Sequence, residues 1–210
     1  MNAQRPHRLR QWRGAWQALG VAAPDEALFD ALLAAYAEPQ RRYHTLQHLG
    51  ECLDWLDRTR DAAERPAEVA VALWFHDAIY DVHAHDNEAR SADWARAALV
   101  SAGVANDIAA RVHALVMATL HNAVPVGRDA VLLVDIDLAI LGAAPARFAE
   151  YEEQIRREYA HVPPELFAPR RREILQRFLA REPLFQTEAL RAACEAKARR
   201  NLQGAIDAVA

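Results

Sequence analysis

The stretch Val69-Ala-Val-Ala-Leu-Trp-Phe-His-Asp-Ala-Ile-Tyr80 carries an unbroken apolar run into an imidazole and a carboxylate. A segment that is apolar on every side reads as a helix buried in the core. His76 and Asp77 inside it are costly to bury unless something binds them. A divalent cation suits an imidazole beside a carboxylate.

Outward from this run, helical periodicity dominates and strand-like alternation is absent. Leu9, Trp12, Trp16 and Leu19 recur at helical spacing, and Gly20 ends that segment. A second helix is expected from Pro24 to Ala37 and a third from Leu46 to Arg60. A fourth starts near Pro66 and carries His76 and Asp77. Asp86-Asn87-Glu88 reads as the start of a fifth, reaching Ser101. Asn106 reads as the cap of a sixth helix, Asp107 to Leu120. Asp129 to Leu141 forms a seventh, closed by Gly142. Segments 145–159, 164–180 and 187–203 complete the set. The expected fold is all-α: one helical domain over residues 1–210, with a core at about 41–142 and flanking helices at both ends.

The 210 residues suffice for one sizeable core, and a net charge of −4 points to no nucleic-acid polymer and no anionic membrane. Lys197 is the only lysine, so the positive charge is carried almost wholly by arginine. Two cysteines, Cys52 and Cys194, fall outside any CxxC pattern, which fits a reduced compartment. No apolar stretch is long enough for a signal peptide or a membrane span. A cytoplasmic protein is expected, with exposed Leu or Phe near the C-terminus as a surface for homo-oligomer pairing.

Tyr43-His44-Thr-Leu-Gln-His48 places two imidazoles four apart, on one face if the segment is helical from its start. Asp135-Ile-Asp137 lies in a further apolar run, and His121 closes Ala118-Thr-Leu-His121. Helical bundles build metal sites from such inward side chains on facing helices. His48, His76, Asp77 and one of Asp135 and Asp137 form a two-His, two-Asp set. This set accommodates Mn, Fe, Zn, Co, Ni or Mg. It leaves positions open for water and substrate, as a catalytic site does.

The order His, then His-Asp, then Asp in a helical chain resembles the HD superfamily of metal-dependent phosphohydrolases. Tyr43-His44-x-x-x-His48 followed by Trp74-Phe75-His76-Asp77 also resembles its cyclic-nucleotide phosphodiesterase branch. Tyr43-His-Thr-Leu-Gln-His48, Phe75-His-Asp-Ala-Ile-Tyr-Asp81, Asp86-Asn-Glu-Ala-Arg-Ser-Ala92 and Asp135-Ile-Asp-Leu-Ala-Ile-Leu-Gly142 are similar to small bacterial proteins identified as predicted HD-type phosphohydrolases. The resemblance spans about residues 41–142.

That resemblance implies an HD-like helical bundle that hydrolyses a small phosphomonoester or phosphodiester, such as a nucleotide. It assigns His48, His76, Asp77 and Asp137 to the metal, with Asp135 as the competing register, and His44 to general acid work on the leaving oxygen. Asp81 and Glu88 match carboxylates that orient water or support ligands. His121 offers a second metal or the substrate phosphate a donor. Thr45 stands where the phosphodiesterase branch has Asn, and the purine-gripping C-terminal region of that branch is missing, which argues against a cyclic nucleotide. Two other classes remain open. One is a di-iron HD-type oxygenase drawing on His121 and His83 or His85. The other is a non-catalytic, metal-stabilised binding module.

Overall fold

A computed structural model describes residues 5–121 and 123–208. These residues form ten α-helices and three short 3-10 segments, with no strand among them, so the protein is all-α. The apolar stretch Val131–Val134 is helical. No described helix is long and apolar enough to cross a membrane. The chain divides into two compact units, with the boundary between Val134 and Asp135.

In the first unit the helices are α1 (Arg5–Ala18), α2 (Glu26–Ala35), α3 (Leu46–Thr59), α4 (Pro66–Phe75), α5 (Asn87–Ser101) and α6 (Asn106–Met117). The helix α7 (Arg128–Asp137) begins here and crosses the boundary. Every residue of α4 after Pro66 is buried, as an all-round apolar helix requires. It lies against α1, α3, α5 and α6. Trp12, Trp16, Phe29 and Trp74 form its aromatic neighbourhood. The Trp12 and Trp74 rings meet edge-on at 5.4 Å, and Phe29 and Trp74 at 5.6 Å. The one acid within α4, Glu68, is buried, and Arg111 of α6 reaches both its carboxylate oxygens, at 2.7 and 2.8 Å. That pairing offsets the cost of a buried charge.

Several helix ends differ from the sequence expectation. Asp25, not Pro24, opens α2, with its carboxylate accepting the Ala27 N–H. Asn106 is the first residue of α6 rather than its cap. Beyond Asp137 the expected seventh helix tightens into a 3-10 segment, Leu138–Gly142. The largest difference is in α4, which stops at Phe75. His76 is its C-cap residue and Asp77 lies in the turn beyond.

The second unit contains α8 (Pro145–Glu158), α9 (Pro164–Leu179) and α10 (Glu188–Ala208), with α10 packed on α9 and on the 138–142 segment. Gly142 permits that approach: a Cβ there would meet Cys194 Cα at 2.7 Å and its carbonyl oxygen at 2.8 Å. Asn201 fastens the segment by donating to the Leu141 and Ala143 carbonyls at 2.8 and 3.0 Å. Glu195 of α10 accepts the backbone N–H groups of Leu184 and Phe185.

Candidate metal centre

The turn at the end of α4 is held from a distance. A helix C-terminus leaves its last carbonyls without intrahelical partners. Here the side chain of Arg41, wholly shielded from solvent, supplies donors to the turn that follows α4. Its Nη1 donates to the Asp77 carbonyl at 2.6 Å and its Nη2 to the Ala78 carbonyl at 2.9 Å. The same Nη1 donates to the His44 carbonyl at 3.1 Å, so one guanidinium ties the His44 turn to the His76-Asp77 turn. Glu38 accepts from Arg41 Nε at 3.0 Å, and the Tyr36 and Tyr80 rings lie against the guanidinium. The Tyr36 hydroxyl accepts the Asp77 N–H at 3.2 Å. Burial pushes that phenol up to about 12, so it remains protonated at neutral pH.

On the facing helix, Thr45 caps α3 by accepting the Gln47 N–H, and the helix proper starts at Leu46. His44 therefore precedes the helix instead of sharing a helical face with His48. It is half-buried, stacked on Tyr80 at 4.0 Å, with its ring centroid 5.9 Å from that of His48. His48 is buried one turn into α3, and Cys52, also buried, follows one turn later on the same face.

His48 and His76 meet through their Nε2 atoms, 3.0 Å apart. The far nitrogen of each ring is already engaged. His76 Nδ1 lies 2.8 Å from the Leu73 carbonyl, which can only accept, so Nδ1 carries the proton and Nε2 of the neutral ring is a lone pair. His48 Nδ1 lies 3.0 Å from the Tyr43 hydroxyl. Asp77 Oδ2 closes the group, 3.0 Å from His76 Nε2 and 3.3 Å from His48 Nε2.

Oδ2 is enclosed and has no hydrogen-bond partner of good geometry. A single proton shared between the two Nε2 atoms would satisfy the histidines but not this oxygen. A cation would satisfy all three atoms. With ligand bonds of about 2.1 Å, two ligands at right angles stand about 3.0 Å apart, which matches the spacing found. Burial alone would raise the Asp77 pKa. Positive charge on His76 and His44, when those rings are protonated, outweighs burial and holds the carboxyl well below its usual range.

Cys52 Sγ lies 3.7 Å from His48 Nδ1 and 3.8 Å from Nε2. One atom each of His48, Cys52 and His76 lie within 4.8 Å of one another, so this buried group could hold a metal ion. Arg41, Tyr43 and Cys52 were not singled out from the sequence. Only Cys52 had a usable signal, its position four residues after His48.

The remaining expected residues are placed as follows. Asp81 is exposed; its carboxylate accepts the His83 N–H at 2.9 Å and Asn87 brackets its backbone at 2.8 and 3.1 Å, so it closes a loop. The helix α4 ends at Phe75 and does not reach it. Glu88 sits half-buried in the first turn of α5, where a carboxylate favours the helix dipole. His83 and His85 are exposed. His121 caps the 118–120 segment in the left-handed region, at φ 52°. Asp137 is the half-buried last residue of α7. Asp135 is buried, and its carboxylate accepts the Thr187 backbone N–H. No protein-family model, curated protein or solved structure matches the chain.

Proposed function

We propose that the protein is a metal-dependent phosphohydrolase of a small phosphoester, a phosphomonoester or phosphodiester such as a nucleotide. The observation that carries this reading is Asp77 Oδ2, an enclosed carboxylate oxygen set against two imidazole Nε2 atoms with no hydrogen bond to it. His48, His76 and Asp77 would hold the ion. Of the two aspartates near the end of α7, Asp135 has its carboxylate committed to the Thr187 N–H.

The donor set is mixed nitrogen and oxygen, which suits Mn, Fe, Co, Ni or Zn more than an all-oxygen site would. When bound, such an ion lowers the pKa of a coordinated water and polarises a phosphoryl oxygen. The chain's own residues do the rest. Tyr43 and the Leu73 carbonyl fix the two imidazole orientations. His44, half-buried and braced by Tyr80, holds a proton for the departing ester oxygen. Arg41 keeps the His44 turn and the His76-Asp77 turn in register.

The test is direct. The purified chain is stripped with chelator, reloaded with Mn, Co or Ni, assayed for metal content, and offered a broad panel of phosphomonoesters and phosphodiesters. Stoichiometric metal with turnover that disappears in His76→Ala and Asp77→Ala is expected. Metal without hydrolysis of any member of the panel sinks the enzymatic reading, and failure to bind metal sinks the whole proposal.

A further inference from the structure

We propose that Cys52 is a second, soft ligand of the His48–His76 site, so that the site sorts ions by hardness. Thiophilic ions would take the Cys52 sulfur, and oxygen-seeking ions would take Asp77. This rests on the metal reading above, and the experiment below separates the failure of one from the failure of the other.

His48 and Cys52 are one turn apart on α3 and present their side chains on one face. The sulfur is buried, 3.7 and 3.8 Å from the two nitrogens of His48. It falls within 4.8 Å of a ligand nitrogen of His76. Around a tetrahedral zinc, with bonds of about 2.3 Å to sulfur and about 2.0–2.1 Å to nitrogen, sulfur and nitrogen stand about 3.6 Å apart. The sulfur is within a few tenths of an ångström of that spacing without any change of rotamer.

A buried cysteine by itself is only a small apolar residue. What distinguishes this one is the company it keeps: the same imidazoles also face the unmatched Asp77 Oδ2. Two donors of opposite character, a thiol on α3 and a carboxylate after α4, thus compete for one pair of histidines. Soft thiolate selects zinc and related ions, whereas carboxylate suits Mg or Mn. As the metal–sulfur bond forms, the thiol proton leaves to solvent, so charge and atoms balance.

The experiment uses the full chain, stripped of metal and titrated separately with Co(II), Zn(II) and Mn(II). Cobalt should give a near-ultraviolet sulfur-to-metal charge-transfer band in the unaltered protein. The band should vanish in Cys52→Ser and persist in Cys194→Ser. Cys52→Ser should weaken zinc and cobalt about tenfold or more while leaving manganese within about twofold, following ligand softness. Because the band is read in the unaltered chain, poor folding of Cys52→Ser does not mask the answer. Cobalt bound with no sulfur band, or a band lost only in Cys194→Ser, overturns the role of Cys52. No binding of any ion overturns the metal reading itself.

Discussion

Arg41 Nη1 lies 2.6 Å from the carbonyl oxygen of Asp77, 36 residues away, and the same guanidinium reaches the His44 and Ala78 carbonyls. The contact fixes the turn that carries the His-Asp pair. Arg41→Met would strand buried carbonyls at about 1–3 kcal/mol each. We expect a loss of about 2–4 kcal/mol in urea unfolding. Arg41→Lys should recover only part of it, because a point charge cannot span carbonyls that the planar fork bridges. At temperatures where both variants are folded, metal affinity should still be reduced. Unchanged affinity in folded Arg41→Met would reduce Arg41 to a structural cap.

A ligand that binds only the folded state stabilises it, by about 2.7 kcal/mol at a hundred times its Kd. Adding Mn, Co, Ni or Zn to the stripped protein should therefore raise Tm, and chelator should reverse the rise. His76→Ala and His48→Ala should lose the shift. Affinity should weaken as pH falls, because imidazole protonation competes with the ion. A melting curve indifferent to every ion tried would contradict the site.

His44 stands apart from the ligand atoms, stacked on Tyr80 at 4.0 Å. Its replacement by Ala should leave metal content intact and lower turnover by about 10²–10⁴, the usual yield of a positioned acid. The loss should be smaller for a substrate with a good leaving group, which needs no proton. Equal losses on good and poor leaving groups would remove His44 from the chemistry.

The apolar run of α4 was readable in the sequence because composition alone buries a helix that lacks a polar face. Its end was not readable, because the donors that hold the turn after it come from Arg41, far away in the chain. His48, His76 and Asp77 meet with their Nε2 and Oδ2 atoms 3.0–3.3 Å apart. Cys52 carried only its place four residues after His48, a signal that acquires meaning when a second imidazole faces both. Asp135 and Asp137 were indistinguishable by spacing, and it is Thr187, 52 residues beyond Asp135, that claims the Asp135 carboxylate.

Gly142 was expected only to close a helix, but its missing side chain sets the contact between the 138–142 segment and α10. A Cβ there meets Cys194 backbone atoms at 2.7 and 2.8 Å, and backbone cannot swing aside. Gly142→Ala should destabilise the protein by about 1–3 kcal/mol, the range for overpacking a close contact. The companion change Gly14→Ala, where a new Cβ meets nothing within 4 Å, should not destabilise and serves as control. Equal stabilities for the two variants would mean that α10 can shift freely on the 138–142 segment.

Burial raises the pKa of Asp135 above the ordinary aspartate range, against the opposing effects of the Thr187 hydrogen bonds and Arg191. A carboxyl whose folded pKa exceeds its unfolded value binds more protons folded than unfolded. Its contribution to stability is therefore greatest below the unfolded pKa and declines as pH rises through the folded one. Asp77 runs the other way: its folded pKa is lowered, so its contribution is present above the unfolded value and is lost as pH falls through the folded value. Asp135→Asn keeps an acceptor for the Thr187 N–H while removing the titration. Stability of the metal-free variant relative to the unaltered protein should accordingly improve as pH rises from about 4 into the neutral range. Urea unfolding at a series of pH values measures this difference directly. A gap that stays constant, or that widens in favour of the unaltered protein, would show that Asp135 ionises in the fold as easily as in the unfolded chain.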